Sequence, residues 1–232
     1  MTRRYFVTSL PEFGGLISLP DQEAQHAARV MRVQVGDFVT LFDGAGNEAE
    51  AQIAAVGRKS VECTAGARQR VDREPGRAIQ LGIALPKPDR ARELIERLTE
   101  IGVQSVTPLI ASRSQRPPSE SMIQKLRRGV IEACKQSGRN QLMTVADPVS
   151  ADTFFREPAS GRRLIAHPVG TSTDEWPLPS ETVTVAVGPE GGWTEEEVAL
   201  AQKHGFAAIH LGKRIYRIET AATVIAARLI DG

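Results

Sequence analysis

The ten residues from Val183 to Gly192 read Val-Thr-Val-Ala-Val-Gly-Pro-Glu-Gly-Gly. A Val-rich run without a polar face predicts a short strand covered on both sides of a sheet, and the glycines predict a tight turn at its end. A helix is expected at once. Thr194 followed by Glu197 fits a capping box that opens the run Val198, Leu200, Ala201. The stretch is therefore strand, glycine-rich loop, helix.

Free N–H groups at such a helix start usually attract phosphate. The local charges oppose that reading, because Glu190, Glu195, Glu196 and Glu197 crowd the loop and first turn with no Lys or Arg among them. The loop also lacks the Lys-Ser/Thr ending of a P-loop and the spacing of a dinucleotide fingerprint. A neutral or cationic ligand, such as an adenosine bearing a sulfonium, suits it better. A strand-to-helix turn that binds nothing would use the same glycines.

Downstream, Ile209-His-Leu-Gly-Lys-Arg-Ile-Tyr-Arg-Ile-Glu-Thr-Ala-Ala predicts a second short strand ending at Gly212 and a basic turn into a last helix, Glu219 to Ile230. Two glycine-bearing strand ends in one sheet are where an α/β protein places its ligand. The small residues Ala221, Ala222, Ala226 and Ala227 predict a deeply packed helix or a subunit contact. Upstream, Ala78 to Leu85 and Ser105 to Ala111 read as strands. Between them lies a helix with Asp89 as its cap, an apolar face of Leu94, Ile95, Leu98 and Ile101, and a stop at Gly102. This alternation implies an α/β fold with a mainly parallel sheet. Leu164-Ile165-Ala166 predicts another strand, ending at His167-Pro168; His167 reads either as a catalytic base or as a loop residue bonded to backbone, and in both cases as one near the ligand.

The polar break from Val71 to Arg77 sets a domain boundary, giving residues 1–72 and 73–232. The first part predicts a small β-rich domain. Its strands are Tyr5 to Val7, Phe38 to Phe42, Glu48 to Val56 and Ser60 to Thr64, with a short helix capped by Asp21 and running to Met31. Arginines near its beginning, including Arg4 and Arg32, suit either an RNA backbone or a solvated rim.

Net charge is +1, so any nucleic-acid surface must be local. Between Ser112 and Gln141 seven basic residues face two acids, a surplus of five, on and around a helix with Ser121 and Gln124 as its expected capping box. Arg113, Arg116 and Arg139 flank that helix, a pattern for holding phosphate-bearing polymers and also one that a solvated helix face would show. From Leu142 to Phe155 the periodicity is weak. Cys63 and Cys134 stand far apart in no metal-ligand spacing, which argues against a zinc site and for a reducing cytoplasm. No run approaches the roughly 18 apolar residues of a membrane span.

Three motifs occur in order: Glu-Ala-x-x-Gln-Ser-x-Arg (132 to 139), Val-Gly-Pro-Glu-Gly-Gly-Trp-Thr-x-x-Glu (187 to 197) and Leu-Gly-x-Arg-Ile-x-Arg-x-Glu-Thr-Ala (211 to 221). With Arg4-Tyr5-Phe6, His26 to Arg32, Leu85-Pro86-Lys87 and Glu100 to Val103, the chain resembles the RsmE family over its whole length. It departs from the usual pattern at Tyr216, Met143 and Arg97.

The resemblance implies an N-terminal PUA-like β-barrel and a SPOUT-type α/β domain with a C-terminal trefoil knot. It further implies a cytoplasmic homodimer that uses S-adenosylmethionine, and no metal, to methylate N3 of uridine 1498 in 16S ribosomal RNA. Carried onto this sequence, the cofactor positions are His167, Val187, Gly188, Pro189, Glu190, Gly191, Gly192, Leu211, Gly212, Ile215, Tyr216, Arg217 and Ala221. The catalytic ones are Arg217, Glu219 and Thr220, and the RNA contacts are Arg4, Arg32, Arg113, Arg116, Gln136 and Arg139. A non-catalytic RNA-binding protein on the same fold is the rival expectation.

Overall fold

The computed structural model describes residues 3–172 and 181–230. Its contacts divide the chain into two units: Met1–Glu74 with Ile131–Leu142, and Pro75–Val130 with Met143–Gly232. The first unit therefore takes in residues far along the sequence.

In the first unit, β1 (Arg3–Phe6), β2 (Gly15–Ser18), β3 (Phe38–Phe42), β4 (Asn47–Val56), β5 (Val61–Ala65) and β6 (Gln69–Arg70) form one sheet. Its order is β1-β3-β4-β5-β2, with β6 beside β4. Strand alternation sets the core: along β4, Ala49, Ala51 and Ile53 are buried while Glu50, Gln52 and Ala54 face outward. Tyr5, Leu41, Ile53, Val61 and Cys63 join them. Burial pushes the thiols of Cys63 and Cys134 up to about 11, so neither is a ready nucleophile.

The expected helix here starts differently. Pro20, not Asp21, is the residue before α1 (Asp21–Gln25), and no side chain caps it. The helix continues as a π-helical segment, His26–Val30, whose wider turns a periodicity argument does not anticipate. Arg32 follows with a φ of 51°, in the left-handed region.

Lys135 lies on the last turns of α3 (Glu120–Ser137). Its Nζ sits 3.2 Å from Glu23 Oε1, 3.0 Å from Glu132 Oε1 and 5.8 Å from the centre of the Tyr5 ring. The Lys135 and Glu23 side chains are 5% and 8% exposed. Burial raises the Glu23 carboxyl above the ordinary carboxylate range, against the pull of Lys135.

The second unit is a seven-stranded, wholly parallel sheet in the order β10-β8-β7-β12-β11-β13, with β9 beside β8. Its strands are β7 (Ala78–Ile83), β8 (Ser105–Ile110), β9 (Thr144–Val145), β10 (Val149–Ser150), β11 (Arg162–Ser172), β12 (Thr182–Val187) and β13 (Ala207–His210). Helices α2 (Pro88–Ile101), α4 (Ala151–Arg156), α5 (Glu195–Lys203) and α6 (Ile218–Ile230) complete it. The expected Val-rich strand is β12, buried from Val183 to Val187 between β7 and β11.

Beside β12, Phe155 packs edge-on against Trp193 at 5.5 Å and Phe206 at 5.2 Å. Helix α2 buries Ala91, Leu94, Ile95 and Leu98 and stops at Gly102, whose φ of 101° suits a residue without Cβ. Of the small residues of α6, Ala221, Ala222 and Ala226 are buried and Ala227 is exposed, and the helix packs within this unit on α2, β7 and β12.

Two helix starts differ from expectation. Lys87 precedes α2 without a side-chain cap, Pro88 supplies the preset first turn, and Asp89 lies inside the helix. For α3, Ser119 takes the capping role, accepting from the Met122 amide at 3.3 Å, while Ser121 is already helical. The weakly periodic stretch resolves into β9, β10 and α4, elements too short for a periodic signature. Strand β11 runs past His167-Pro168 to Ser172, with a register shift between Ala166 and Thr171 against β13.

If the buried pair anchors the first unit, Glu23→Ala leaves the buried Lys135 ammonium with only the exposed Glu132 as a carboxylate partner among the described residues. The expected loss is about 3–5 kcal/mol by urea denaturation, whereas the double replacement Glu23→Met with Lys135→Met restores most of it. A loss below about 1 kcal/mol for the single variant would contradict the anchoring role.

Candidate functional site

In a parallel sheet every strand points its carboxyl end to the same edge, and here that edge carries the turns after β7, β8, β12 and β13. The strand order reverses at β7, whose neighbours β8 and β12 lead away on opposite sides, a position that commonly hosts ligands. The loop from Gly188 to Gly192 leaves β12 beside β7, and the turn from Leu211 to Arg217 leaves β13 two strands further on. Both expected ligand turns thus lie on one edge, separated by β11.

The glycines of the first loop have distinct causes. A Cβ on Gly188 would sit 2.8 Å from the Trp193 ring, so the ring requires a glycine there. Trp193 is held in turn by its Nε1, which donates to Ala166 O at 3.2 Å. A Cβ on Gly191 would meet Arg113 Cβ at 3.2 Å. Gly192 and Gly212 both have positive φ, at 72° and 105°, and both face open space where a side chain would stand. Uncovered backbone of this kind lets a ligand approach closely.

The capping box forms as the sequence indicates: Glu197 N donates to Thr194 Oγ1 at 3.2 Å and Thr194 N to Glu197 Oε2 at 2.9 Å. Its own amide and the Thr194 hydroxyl hold the Glu196 carboxyl below the usual range.

The loop is strapped from the turn after β8. Ser112 N donates to Glu197 Oε1 at 2.8 Å, Arg113 Nη1 to Gly191 O at 2.9 Å, and Gln115 Nε2 to Glu190 Oε2 at 3.0 Å. From α2, Arg90 Nη1 lies 3.6 Å from Glu190 Oε1 and 3.8 Å from Glu219 Oε1. Ser112, Gln115 and Arg90 were not among the expected site residues. Nothing local in the sequence marks them, since each acts on a residue 75 or more positions away. The loop read as purely acidic therefore receives two arginines from elsewhere.

In the second turn Gly212 N donates to His210 Nδ1 at 2.9 Å, and Arg217 O accepts from Ala221 N at 2.8 Å at the start of α6. Arg217 and Thr220 are exposed, Leu211 and Tyr216 half-buried, Ala221 buried, and Ile215 is 96% exposed. Glu219 is mostly covered, and its Oε2 is buried without a hydrogen-bond partner among the described residues. His167 stands in the irregular part of β11 next to this turn, with its Nδ1 within 3.2 Å of the Val169 amide. Its ring is engaged by its own backbone, as the second of the two readings has it.

The expected RNA residues separate into two groups. Arg139 is 5% exposed and bonds Glu74 Oε1 through Nε at 2.8 Å, so it braces the first unit and offers no open cation. Arg4 is 11% exposed, pairs with Glu48 at 3.1 Å and lies over the Phe42 ring. In both, a carboxylate from another segment engages the guanidinium. Arg113 is exposed but bound to loop carbonyls. Arg32, Arg116 and Gln136 are exposed. Of the seven bases on residues 112–141, Arg127 pairs with Asp147 at the surface, and Lys135 and Arg139 are buried against Glu23 and Glu74, so three are engaged by carboxylates from outside the segment.

Comparison with known proteins places this geometry. Residues 73–230 match the family model of an RNA methyltransferase domain, and residues 19–65 that of an RNA methyltransferase PUA domain. The ribosomal RNA small subunit methyltransferase E of Synechocystis is 33% identical over 221 residues, covering 92% of this chain and 72% of that protein. The enzyme of that name from Mycobacterium tuberculosis is 30% identical over 233 residues, covering 95% and 88%. The crystal structure of the Neisseria gonorrhoeae protein of the same name, bound to S-adenosyl methionine, superposes with a TM-score of 0.91 at 30% identity, covering 98% of this chain and 96% of that one. With its glycine loop, its Glu-Thr-Ala helix start and its parallel sheet all in place, this chain belongs to the ribosomal RNA small subunit methyltransferase E family of RNA methyltransferases.

Proposed function

We propose that the protein transfers a methyl group from S-adenosylmethionine to N3 of uridine 1498 in 16S ribosomal RNA, acting as a cytoplasmic homodimer. The observation that supports this most is the full-length likeness to a relative solved with S-adenosyl methionine, together with the motif residues standing at one sheet edge. The uridine position, the dimer and the knotted C-terminal thread are carried from the family resemblance; insertion of β12 between β7 and β11 supports the last. A closed N-terminal barrel is proposed on the same ground.

The residues present suit this cofactor. Open backbone at Gly192 and Gly212 admits a flat ring system, and the unpartnered oxygen of Glu219 offers an acceptor near a cationic ligand. Glu190 adds negative charge, which a phosphate would find unfavourable and a sulfonium favourable. We assign Val187 to Gly192, His167, Leu211, Gly212, Ile215 to Arg217 and Ala221 to its binding.

Bound there, S-adenosylmethionine supplies a methyl group already activated by the adjacent positive sulfur. The chain must orient the uridine in line with it and ease the loss of the N3 proton. N3 lies on the Watson–Crick edge, so the target base has to be unpaired or flipped out. Arg217, exposed on the turn before α6, is placed to donate to the uracil oxygens as negative charge develops on them. Glu219 and Thr220 orient Arg217 or assist the departing proton.

RNA phosphates are met by Arg116 with Lys213 and Arg214, which follow β8 and β13 at the same edge, are exposed, and have no ion pair among the described residues. Arg32 and Gln136, exposed in the first unit, are proposed as RNA contacts on the family resemblance alone. A non-catalytic RNA-binding protein would share this surface without the chemistry.

Single-turnover methylation with both ligands saturating tests the chemical role. Arg217→Ala should lose about 10²- to 10³-fold in rate while calorimetric affinity for S-adenosylmethionine changes little, and Arg217→Lys should recover part. A near wild-type rate for folded Arg217→Ala contradicts the role, and a wild-type chain that retains no S-adenosylmethionine favours the non-catalytic reading.

The phosphate surface is tested by salt dependence. Replacing Arg116, Lys213 and Arg214 together by Ala should flatten the slope of log affinity against log salt by about 2, from three lost contacts to single-stranded RNA. An unchanged slope would remove these residues from the interface.

A further inference from the structure

We propose that Arg90 is a positioning residue for this reaction, joining the carboxylates of the two ligand turns and fixing Glu219 before substrate arrives. The inference rests on the methyltransferase reading above and assigns a role to a residue outside its motifs.

Arg90 stands in the first turn of α2. Strand β7 pairs with β12 in register up to Ile83 and Val187, so the chain leaving β7 enters α2 beside the glycine loop. Helix α2 also packs on α6, the helix that begins with Ile218 and Glu219. The first turn of α2 is thus the part of the fold that reaches both ligand turns. One nitrogen of Arg90 lies 3.6 Å from Glu190 and 3.8 Å from Glu219.

Both distances exceed a hydrogen bond, so the attraction is that of charges and demands no particular fork geometry. Two carboxylates gathered around one nitrogen repel each other once that cation is removed. Their other oxygens are treated unequally. Glu190 Oε2 is already bonded by Gln115 at 3.0 Å, whereas Glu219 Oε2 is buried with no hydrogen-bond partner among the described residues. Glu190 is therefore held from two sides, and Glu219 is the partner that moves when Arg90 is lost. Its side chain is 13% exposed against 37% for Arg90, so the free acceptor is sheltered from water while the cation reaches in from the rim. A sheltered acceptor held in place is ready for a hydrogen donor of the cofactor or for orienting Arg217.

The test is a double-mutant cycle of Arg90 and Glu219, read by calorimetric S-adenosylmethionine affinity and by single-turnover rate on unmodified small ribosomal subunits. Arg90→Ala should reduce the rate at saturation, and weaken cofactor binding, by about tenfold each. Arg90→Lys should recover most of both, because an ammonium satisfies a long ion pair. In a Glu219→Gln background, Arg90→Ala should add less than about twofold, since the charge it positions is gone.

Values for Arg90→Ala within about twofold of wild type would overturn the proposal. So would an equal loss in both backgrounds, which is the behaviour of a residue that merely stabilises the helix. Should Arg90→Ala fail to fold, Arg90→Gln, which keeps the stem, is read in the same way. A wild-type chain that neither binds S-adenosylmethionine nor methylates overturns the methyltransferase reading itself; wild-type activity with an insensitive Arg90 overturns this inference alone.

Discussion

The second unit depends on one constraint, the burial of β12 on both faces. A strand from Val183 to Val187 with no exposed side leaves its chemistry only one exit, the carboxyl end of a parallel sheet. There the Trp193 ring lies where a side chain on residue 188 would stand, and its indole nitrogen reaches across to β11. The ring also belongs to the aromatic core of Phe155 and Phe206. The glycine loop, proposed to face the cofactor, is therefore pinned by the same packing that stabilises the sheet. A bulky core can make a functional loop rigid without any residue of the loop itself being large.

Charge is organised over longer distances than packing. Within its own segment the glycine loop has only acids, and the chain meets that repulsion with Arg90 from one helix and Arg113 from another turn. Elsewhere the traffic is reversed: Arg4, Arg139 and Lys135, which a linear count assigns to a basic surface, are taken up by Glu48, Glu74 and Glu23. A local surplus of charge thus says little about a surface until its partners are known. In the segment 112–141, Arg116, Lys125 and Arg128 stay exposed, and Arg116 shares the carboxyl edge of the sheet with the exposed Lys213 and Arg214.

The legible part of the fold was the part written in neighbouring residues. Thr194 and Glu197 are three apart and close on each other as such pairs do, and Gly102 ends its helix because only a residue without Cβ sits easily at that φ. The strand ends at Gly188 and Gly212 were legible for the same reason. Expected caps at Asp21, Asp89 and Ser121 missed because a preceding Pro or an adjacent Ser served instead, a choice of one or two residues that propensity does not resolve. The continuation of β11 past Pro168 follows from its pairing with β13, and the π-helical turn leaves no mark in the apolar period. For the candidate site, the two glycine turns were visible in the motifs, whereas the straps of Ser112, Gln115 and Arg90 were not, being contacts between distant segments.

Methyl transfer at a buried-edge base nitrogen leaves one unambiguous product. Unmodified small ribosomal subunits incubated with the protein and isotopically labelled S-adenosylmethionine, digested to nucleosides and separated, should yield label in 3-methyluridine at one residue per subunit. Label in any other nucleoside, or none from a chain that binds both cofactor and subunit, would contradict the assignment.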